Sequence, residues 1–407
     1  MLSVLSRPTF LLFFLGNIIS LIGFGFNLIA VSWIVLEQTG SEFTLGKIIA
    51  AATIPGLLIS FFTGYIIDKT NRKWLMVFLD IFRVIVITVF LIILRFDDFS
   101  LTYLFLVTFF MGIGNSLFWS TSHAFTQEIV SKEDYFNANK LLSASFQIGS
   151  IIGAGIGGVI VHIYSPFVAL WINVATYIIS GILIALAPFK HTPRKSSSKN
   201  LIKSLLRGYT YLKERKDIAT LSMTTILADV AIWGSLSVLT ISISIDIFDK
   251  GAWGYGLLDG FYGIGALLSV VVIGYISNLL TRKNILIICY FLGFTSLFLS
   301  SLMPTIYLAS CFFFILGTSI NSGRIITRTI IMENVDNVIM GRVQTLLGIY
   351  TRFMVVLSSL VTGYAIENIN IDTAVIFACL HYALALFGVL IVRRIWVDSY
   401  IYLENNQ

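Results

Sequence analysis

The stretch Gly64-Tyr65-Ile66-Ile67-Asp68-Lys69-Thr70-Asn71-Arg72-Lys73 returns 210 residues later as Gly274-Tyr275-Ile276-Ser277-Asn278-Leu279-Leu280-Thr281-Arg282-Lys283. Each copy ends one long apolar segment and precedes another. A short loop between two membrane helices is therefore used twice, at equivalent places in two parts of the chain. Internal duplication of a helical membrane bundle is a common plan for secondary transporters, with the substrate site between the repeats. The repeat thus predicts class, architecture and mechanism together.

The composition agrees. Of the 407 residues 57% are hydrophobic and 12% charged, with a mean hydropathy of +0.91. Soluble domains carry about 25% charged residues, so this chain lacks the polar surface a soluble protein needs. The net charge of +6 is distributed by topology and gives no reason to expect nucleic acid. Cys289, Cys311 and Cys379 lie inside apolar segments without metal-ligand spacing and read as small buried hydrophobes. The first apolar run is too long for a signal peptide and lacks a small-residue cleavage pattern, so it reads as the first spanning helix.

A spanning helix needs about 20 mostly apolar residues. Twelve segments meet this length: 9–36, 45–67, 74–95, 101–123, 139–163 and 166–188, then 218–245, 253–279, 284–303, 306–328, 341–366 and 371–392. The expected fold is all-α and integral to the membrane, with a six-helix half at 1–188, a linker at 189–217 and a second half at 218–407. The linker opens on basic residues and a run of serines, Ser196 to Ser198. It continues with Leu201, Leu205, Tyr209 and Leu212 at helical spacing, which suits a helix lying on an anionic membrane surface. With a cytoplasmic N-terminus, most of the 27 basic residues fall on the inner side, Arg324, Arg328 and Arg342 among them. The outer side holds Lys47, Arg95 and Lys250, and Arg83 and Arg352 lie within helices. The positive-inside rule then makes both termini cytoplasmic.

The first repeat loop resembles motif A of the major facilitator superfamily: a glycine, an aspartate four residues on, then basic residues. Gly64 permits close helix approach, Asp68 can face a helix N-terminus, and Arg72, followed by Lys73, can pair with an acid on a neighbouring helix, Glu128 being the candidate. The second copy has Asn278 in place of the acid, so its latch is expected to be weaker. Segment five carries Gly149, Gly153, Gly155, Gly157 and Gly158, resembling motif C, the antiporter signature, with Ala154 where proline is usual. Nearly the whole chain is similar to the drug- and siderophore-efflux branch, which includes macrolide efflux proteins and enterobactin exporters. Ser20 to Gly23, Thr39 to Ser41, Asp80 with Arg83, and Gly341 to Val343 add to this likeness. The resemblance implies twelve helices and proton-driven export by alternating access. Phe24 stands where many relatives have an acid, and Met111 aligns with the motif B arginine, so their coupling residues do not carry over.

Charges inside a membrane default to functional hypotheses. Asp80 and Arg83, three apart, are expected to form a structural pair. Asp229 sits mid-way along segment seven on a face with Ser222, Thr225, Trp233, Ser237 and Thr240, as helical spacing requires. It is the first candidate for a proton or substrate site, with Asp259 and Arg352 next. An Arg352–aspartate structural pair is the alternative. Asn17 and Asn27, which share a polar face of segment one with Ser20 and Gly23, and Gln147 and Asn321 add uncharged groups. His123 is a lesser relay candidate. Trp119, Trp171 and Trp233 could stack on a substrate.

No phosphate-binding loop, metal cluster or nucleophile–base motif occurs, so neither an enzyme nor a cofactor is expected. The expected protein is a monomeric secondary transporter in a bacterial cytoplasmic membrane, in contact with lipid. It exports a small amphipathic molecule, a siderophore or a drug such as a macrolide, in exchange for protons. A carboxylate-bearing substrate would suit Arg352 and a cationic drug Asp229. The rivals are a proton-coupled importer on the same fold and a non-transporting membrane sensor.

Overall fold

The computed structural model describes residues 2–96, 99–131, 134–189, 201–335 and 337–392. The described residues are almost entirely helical. The spanning helices are α1 (Pro8–Thr39), α2 (Glu42–Lys69), α3 (Arg72–Phe96), α4 (Leu101–Ile129), α5 (135–163) and α6 (Pro166–Leu186). The second set is α7 (Lys216–Ile247), α8 (Gly251–Ile276), α9 (Arg282–Ser301), α10 (Ile306–Asn334), α11 (Asn337–Asn368) and α12 (Ile371–Ile391). Eleven helices among the described residues are long and apolar enough to cross a membrane. The twelfth expected segment is α5, a continuous helix enriched in small and polar residues. Between α6 and α7 lies the linker helix Leu201–Glu214; the basic and serine-rich stretch 190–200 lies outside the described residues, as do Arg393 and Arg394.

Local chemistry sets the helix ends. Ser41, Ser100, Ser165, Thr281, Thr305 and Asn370 each cap a helix by accepting a backbone N–H two or three residues on. Pro8 and Pro166 occupy first-turn positions, where no amide hydrogen is needed. Gly40 ends α1 at φ +59°, a left-handed conformation that glycine adopts without a Cβ clash.

One buried apolar cluster lies wholly within 218–392 and another wholly within 4–184. A third joins α1 and α2 to Val238, Ile241, Ala252 and Tyr255 of the second set. The two six-helix groups meet closely at the face where α1 turns into α2, here the far face. The opposite face carries the start of α1 and the linker helix, and is called the terminal face. At the far face α2 packs on α11: a Cβ on Gly46 would lie 2.5 Å from the Ser359 carbonyl oxygen, and one on Gly363 2.5 Å from that of Glu42. The Ser41 hydroxyl donates to the Glu367 carboxylate, which also accepts the Phe43 amide at 3.1 Å. α5 packs on α8 at the same level, where a Cβ on Gly158 would lie 2.8 Å from the Ala252 carbonyl oxygen and from Gly256 Cα.

Three expectations change. Arg324 and Arg328 are not at the inner surface: α10 continues to Asn334, and both lie within it beside a cavity. Positive-inside counting had assigned them to the surface because the apolar run thins before the helix stops. Cys311 is exposed on the bundle exterior, whereas Cys289 and Cys379 are buried. In α5 the missing proline is replaced by a different irregularity, a π-helical stretch over Ile152–Ile156. Such bulges interrupt the helical ladder without proline.

Candidate functional site

Two cavities share a wall at the centre of the bundle. One, of about 380 Å³, is lined by α1, α2 and α4 of the first set and by Trp233, Ser237, Arg352 and their neighbours on α7 and α11. The other, of about 320 Å³, lies between α7, α10 and α11 on the terminal-face side, walled by Asp229, Arg324, Arg328 and Arg352 among others. Trp233, Thr351 and Arg352 border both. A smaller space of about 80 Å³ runs between α1, α5, α7, α8 and α10 and is lined by Asp259, Gln147, Asn321 and Arg324 among others. Apolar pockets with a few convergent polar groups are the usual form of small-molecule sites.

Asp229 is held by Arg324, a residue that positive-inside counting places at the inner surface. Arg324 Nε lies 2.7 Å from Asp229 Oδ1, joining α10 to α7. Arg324 Nη1 donates to Asn321 Oδ1 at 3.0 Å, and Gln147 Nε2 donates to the same oxygen at 3.2 Å. Asn321 Nδ2 reaches the Tyr262 hydroxyl at 3.3 Å. A polar chain therefore runs from Gln147 of the first group to Asp229 of the second. Thr225, Asp229 and Trp233 share a cavity wall as their spacing predicts. A π-helical stretch over Ala231–Leu236 then re-aims the helix, so that Trp233, Ser237 and Thr240 line the smaller space. The expected alternative pair between Arg352 and an aspartate is absent among the described residues; the aspartate's partner is Arg324.

The other candidates divide. Asp259 faces the smaller space beside Tyr255 and Tyr262 with no ion pair or hydrogen bond among the described residues. Arg352 extends from α11 towards α2, where a Cβ on Gly56 would come within 3.4 Å of its Nε. Asn27 lines the larger cavity with its Oδ1 buried and unpaired. Asn17 is used in packing: it donates to Ser145 Oγ at 2.9 Å and accepts from Ser122 Oγ at 3.2 Å, joining α1, α4 and α5. His123 lies beside it in a small separate space. Four aromatic rings cross the centre in series. Phe24 to Trp119 is 6.3 Å between centroids, Trp119 to Phe146 is 5.0 Å, and Phe146 to Trp233 is 5.7 Å. Trp171 is exposed on the bundle exterior.

Asp80 and Arg83 form a buried ion pair. Ser180 donates to Asp80 at 2.8 Å, and Arg83 reaches Ser20 at 3.1 Å and Asn115 at 3.0 Å. The guanidinium lies between the Phe118 and Tyr177 rings, 4.3 and 4.1 Å from their centroids. At the motif A loop, Arg72 Nη1 lies 3.4 Å from Glu128 and donates to the Ala124 carbonyl at 2.7 Å. Lys73 donates to the Ala187 carbonyl at 2.8 Å. These contacts tie α3 to α4 and α6 within one group. The Asp68 side chain and the surroundings of Gly64 lie outside what the structure describes. In the second copy Arg282 pairs with Glu333, so the α3–α4 bridge recurs as an α9–α10 bridge. Of the motif C glycines, Gly149, Gly153 and Gly157 face α1 in their own group, whereas Gly158 meets α8 across the interface.

Eleven helices among the described residues are long and apolar enough to cross a membrane, and with α5 they enclose apolar cavities that hold a few convergent charged groups, the architecture of a multi-pass membrane protein. The sequence profile of the Major Facilitator Superfamily matches residues 13–359, and the chain belongs to that superfamily. It is 25% identical over 304 residues to a putative bacilysin exporter of Bacillus amyloliquefaciens, covering 73% of each chain. It is 21% identical over 339 residues to macrolide efflux protein A of Streptococcus pyogenes, covering 82% of this chain and 83% of that one. It is 20% identical over 269 residues to the multidrug efflux pump Tap of Mycolicibacterium fortuitum, covering 64% and 65%. Among solved structures, the nucleoside transporter NupG superposes with a TM-score of 0.74 at 14% identity, covering 94% of this chain and 99% of that one. A bacterial homologue of the iron transporter ferroportin in an outward-facing state gives 0.67 at 13% identity, covering 94% and 98%. At these identities the structures speak for the fold alone.

Proposed function

We propose that the protein exports a small amphipathic organic molecule across a bacterial cytoplasmic membrane by alternating access, in exchange for protons. The observation that carries the reading is the central cavity system: it is walled by both helix groups, sealed at the far face by the α2–α11 and α5–α8 contacts, and contains an ion pair and a series of aromatic rings. With the termini cytoplasmic, as the basic residues favour, the far face is external and the cavities belong to an inward-facing arrangement. The export direction draws support from relatives named as exporters and efflux pumps. A protein of one fold can run either way.

In this reading residues 1–188 and 218–407 move as two bodies joined by the linker 189–217. The coupling proton binds Asp229. The Asp229–Arg324 contact is a two-state element: it is closed while the carboxylate is ionised and opens when the carboxylate is protonated. Asp259 is the second candidate because nothing pairs with it among the described residues. A siderophore and a macrolide illustrate the two charge types that such a cavity could be built for. The experiment is uptake of labelled erythromycin and of a labelled catecholate siderophore into inside-out vesicles, with and without an acidic lumen. Accumulation of either compound that collapses with the gradient supports export by exchange. Uptake confined to right-side-out vesicles would replace the reading with the importer.

A further inference from the structure

The charges around the cavities are unequal. On the terminal-face side one carboxylate, Asp229, stands with three guanidinium groups, those of Arg324, Arg328 and Arg352. Asp229 is already taken by Arg324 at 2.7 Å. Arg328 and Arg352 make no hydrogen bond or ion pair among the described residues. Arg324 Nη2 is buried without a partner. The Asn27 Oδ1 carbonyl and the Ser116 hydroxyl are also buried without a partner among the described residues, in the adjoining cavity that Arg352 borders. The remaining acid, Asp259, faces the smaller space on the other side of Arg324.

We propose that Arg328, Arg352 and Arg324 Nη2 form an anion-binding site, and that the transported molecule carries a carboxylate or comparable anion beside an aromatic or apolar body. The proposal rests on the export reading and names its substrate class. Three arguments converge on it. A guanidinium in a membrane interior is retained where a partner or a water-filled cavity compensates it, and Arg is the side chain whose fork matches a carboxylate in two-point contact. The unsatisfied Nη2 is a buried donor whose missing acceptor costs stability, and an incoming anion supplies that acceptor. The aromatic series from Phe24 to Trp233 ends at the wall shared with Arg352, so an apolar ring system can lie over it while its acid reaches the arginines. Charge balance favours the same direction of transport. Moving a monoanion out in exchange for one proton carries two charge equivalents the same way, and an inside-negative membrane potential drives both.

The test uses the full chain in nanodiscs and three probes of similar shape: 1-naphthylacetate, 1-naphthylacetamide and 1-naphthylmethylammonium. The acid should bind at least tenfold more tightly than the amide, and the ammonium most weakly. Arg352→Gln and Arg328→Gln should each weaken the acid tenfold or so and leave the amide unchanged, while Arg352→Lys should restore part of the loss. The unchanged amide shows that a variant is folded. Arg95→Gln, remote from the cavity, should alter nothing. Equal binding of acid and amide, a preference for the ammonium, or no measurable binding of the acid overturns the proposal. Tight acid binding without accumulation in inside-out vesicles leaves the anion site standing and removes the export reading. Accumulation of acid and amide alike does the reverse.

Discussion

Arg324 Nε lies 2.7 Å from Asp229 Oδ1 and so ties α10 to α7 at the cavity wall. Its Nη1 shares the Asn321 side chain with Gln147 of the other helix group. An arginine that serves an acid of its own group and a contact between groups can transmit a local protonation to the interface. An element with two arrangements whose equilibrium both sites bias carries coupling of this kind.

The pair itself is open to a double-mutant cycle. Asp229→Asn and Arg324→Gln should each destabilise the protein, and the double variant should be more stable than their sum predicts. A coupling of about 0.5–3 kcal/mol is the normal range for residues in direct contact. Thermal unfolding in detergent measures it; additivity of the two singles would show that the contact contributes nothing.

The Asp80–Arg83 pair should behave differently. It is fully enclosed, and removing one charge from a buried pair costs about 3 kcal/mol or more. Asp80→Asn is therefore expected to lower thermal stability strongly while leaving the proton dependence of any residual transport unchanged. A variant of normal stability with altered coupling would move this pair from scaffold to mechanism.

Glycines on α5 should separate packing from alternation. A Cβ on Gly153 would come 2.6 Å from Gly25 Cα within the same group, so Gly153→Leu should overpack the α1–α5 contact and cost about 1–3 kcal/mol or more in stability. Gly158→Leu should instead prise α5 from α8. In a background without the native cysteines, a single cysteine at Ser41 should then become more reactive to an impermeant external thiol reagent. Equal reactivity in the parent and Gly158→Leu would show that this contact does not gate the far face.

Motif A supplies a fourth test. Asp68→Asn is expected to insert normally and transport poorly, because the loop loses its anion. Glu128→Gln, which removes the partner of Arg72 at 3.4 Å, should have a milder effect since Arg72 keeps the Ala124 carbonyl. Normal transport rates for Asp68→Asn across pH would remove the latch from the mechanism.

Much of this arrangement was legible in the chain because its signals are periodic or repeated. Apolar segments of spanning length, the two Gly-to-Arg-Lys loops and the Asp80–Arg83 spacing each correspond to a local physical requirement. The same holds for the acid on the polar face of α7. Arg324 was missed for a definite reason. Positive-inside counting assigns a basic residue near a segment end to the surface, and the apolar run of α10 weakens before the helix does. Asn321 and Arg324, one turn apart, carried the missing hint, since two polar groups on one face seldom point at lipid. The division of labour among the α5 glycines was not readable, because spacing shows that a face is smooth and not which helix lies against it. Asn17 and Asn27 illustrate the same limit: one joins three helices and the other faces a cavity, although both belong to one stripe.

The most direct test of proton-coupled export compares two transport modes in the same inside-out vesicles, for the parent and for Asp229→Asn and Asp259→Asn. Accumulation driven by an acidic lumen requires net proton transfer, whereas counterflow of labelled against unlabelled substrate does not. The parent should perform both, Asp229→Asn should keep counterflow and lose driven accumulation, and Asp259→Asn should keep both. Driven transport that persists in Asp229→Asn and fails in Asp259→Asn would transfer the coupling site to α8. Full driven transport in both variants would contradict proton exchange through the cavity acids.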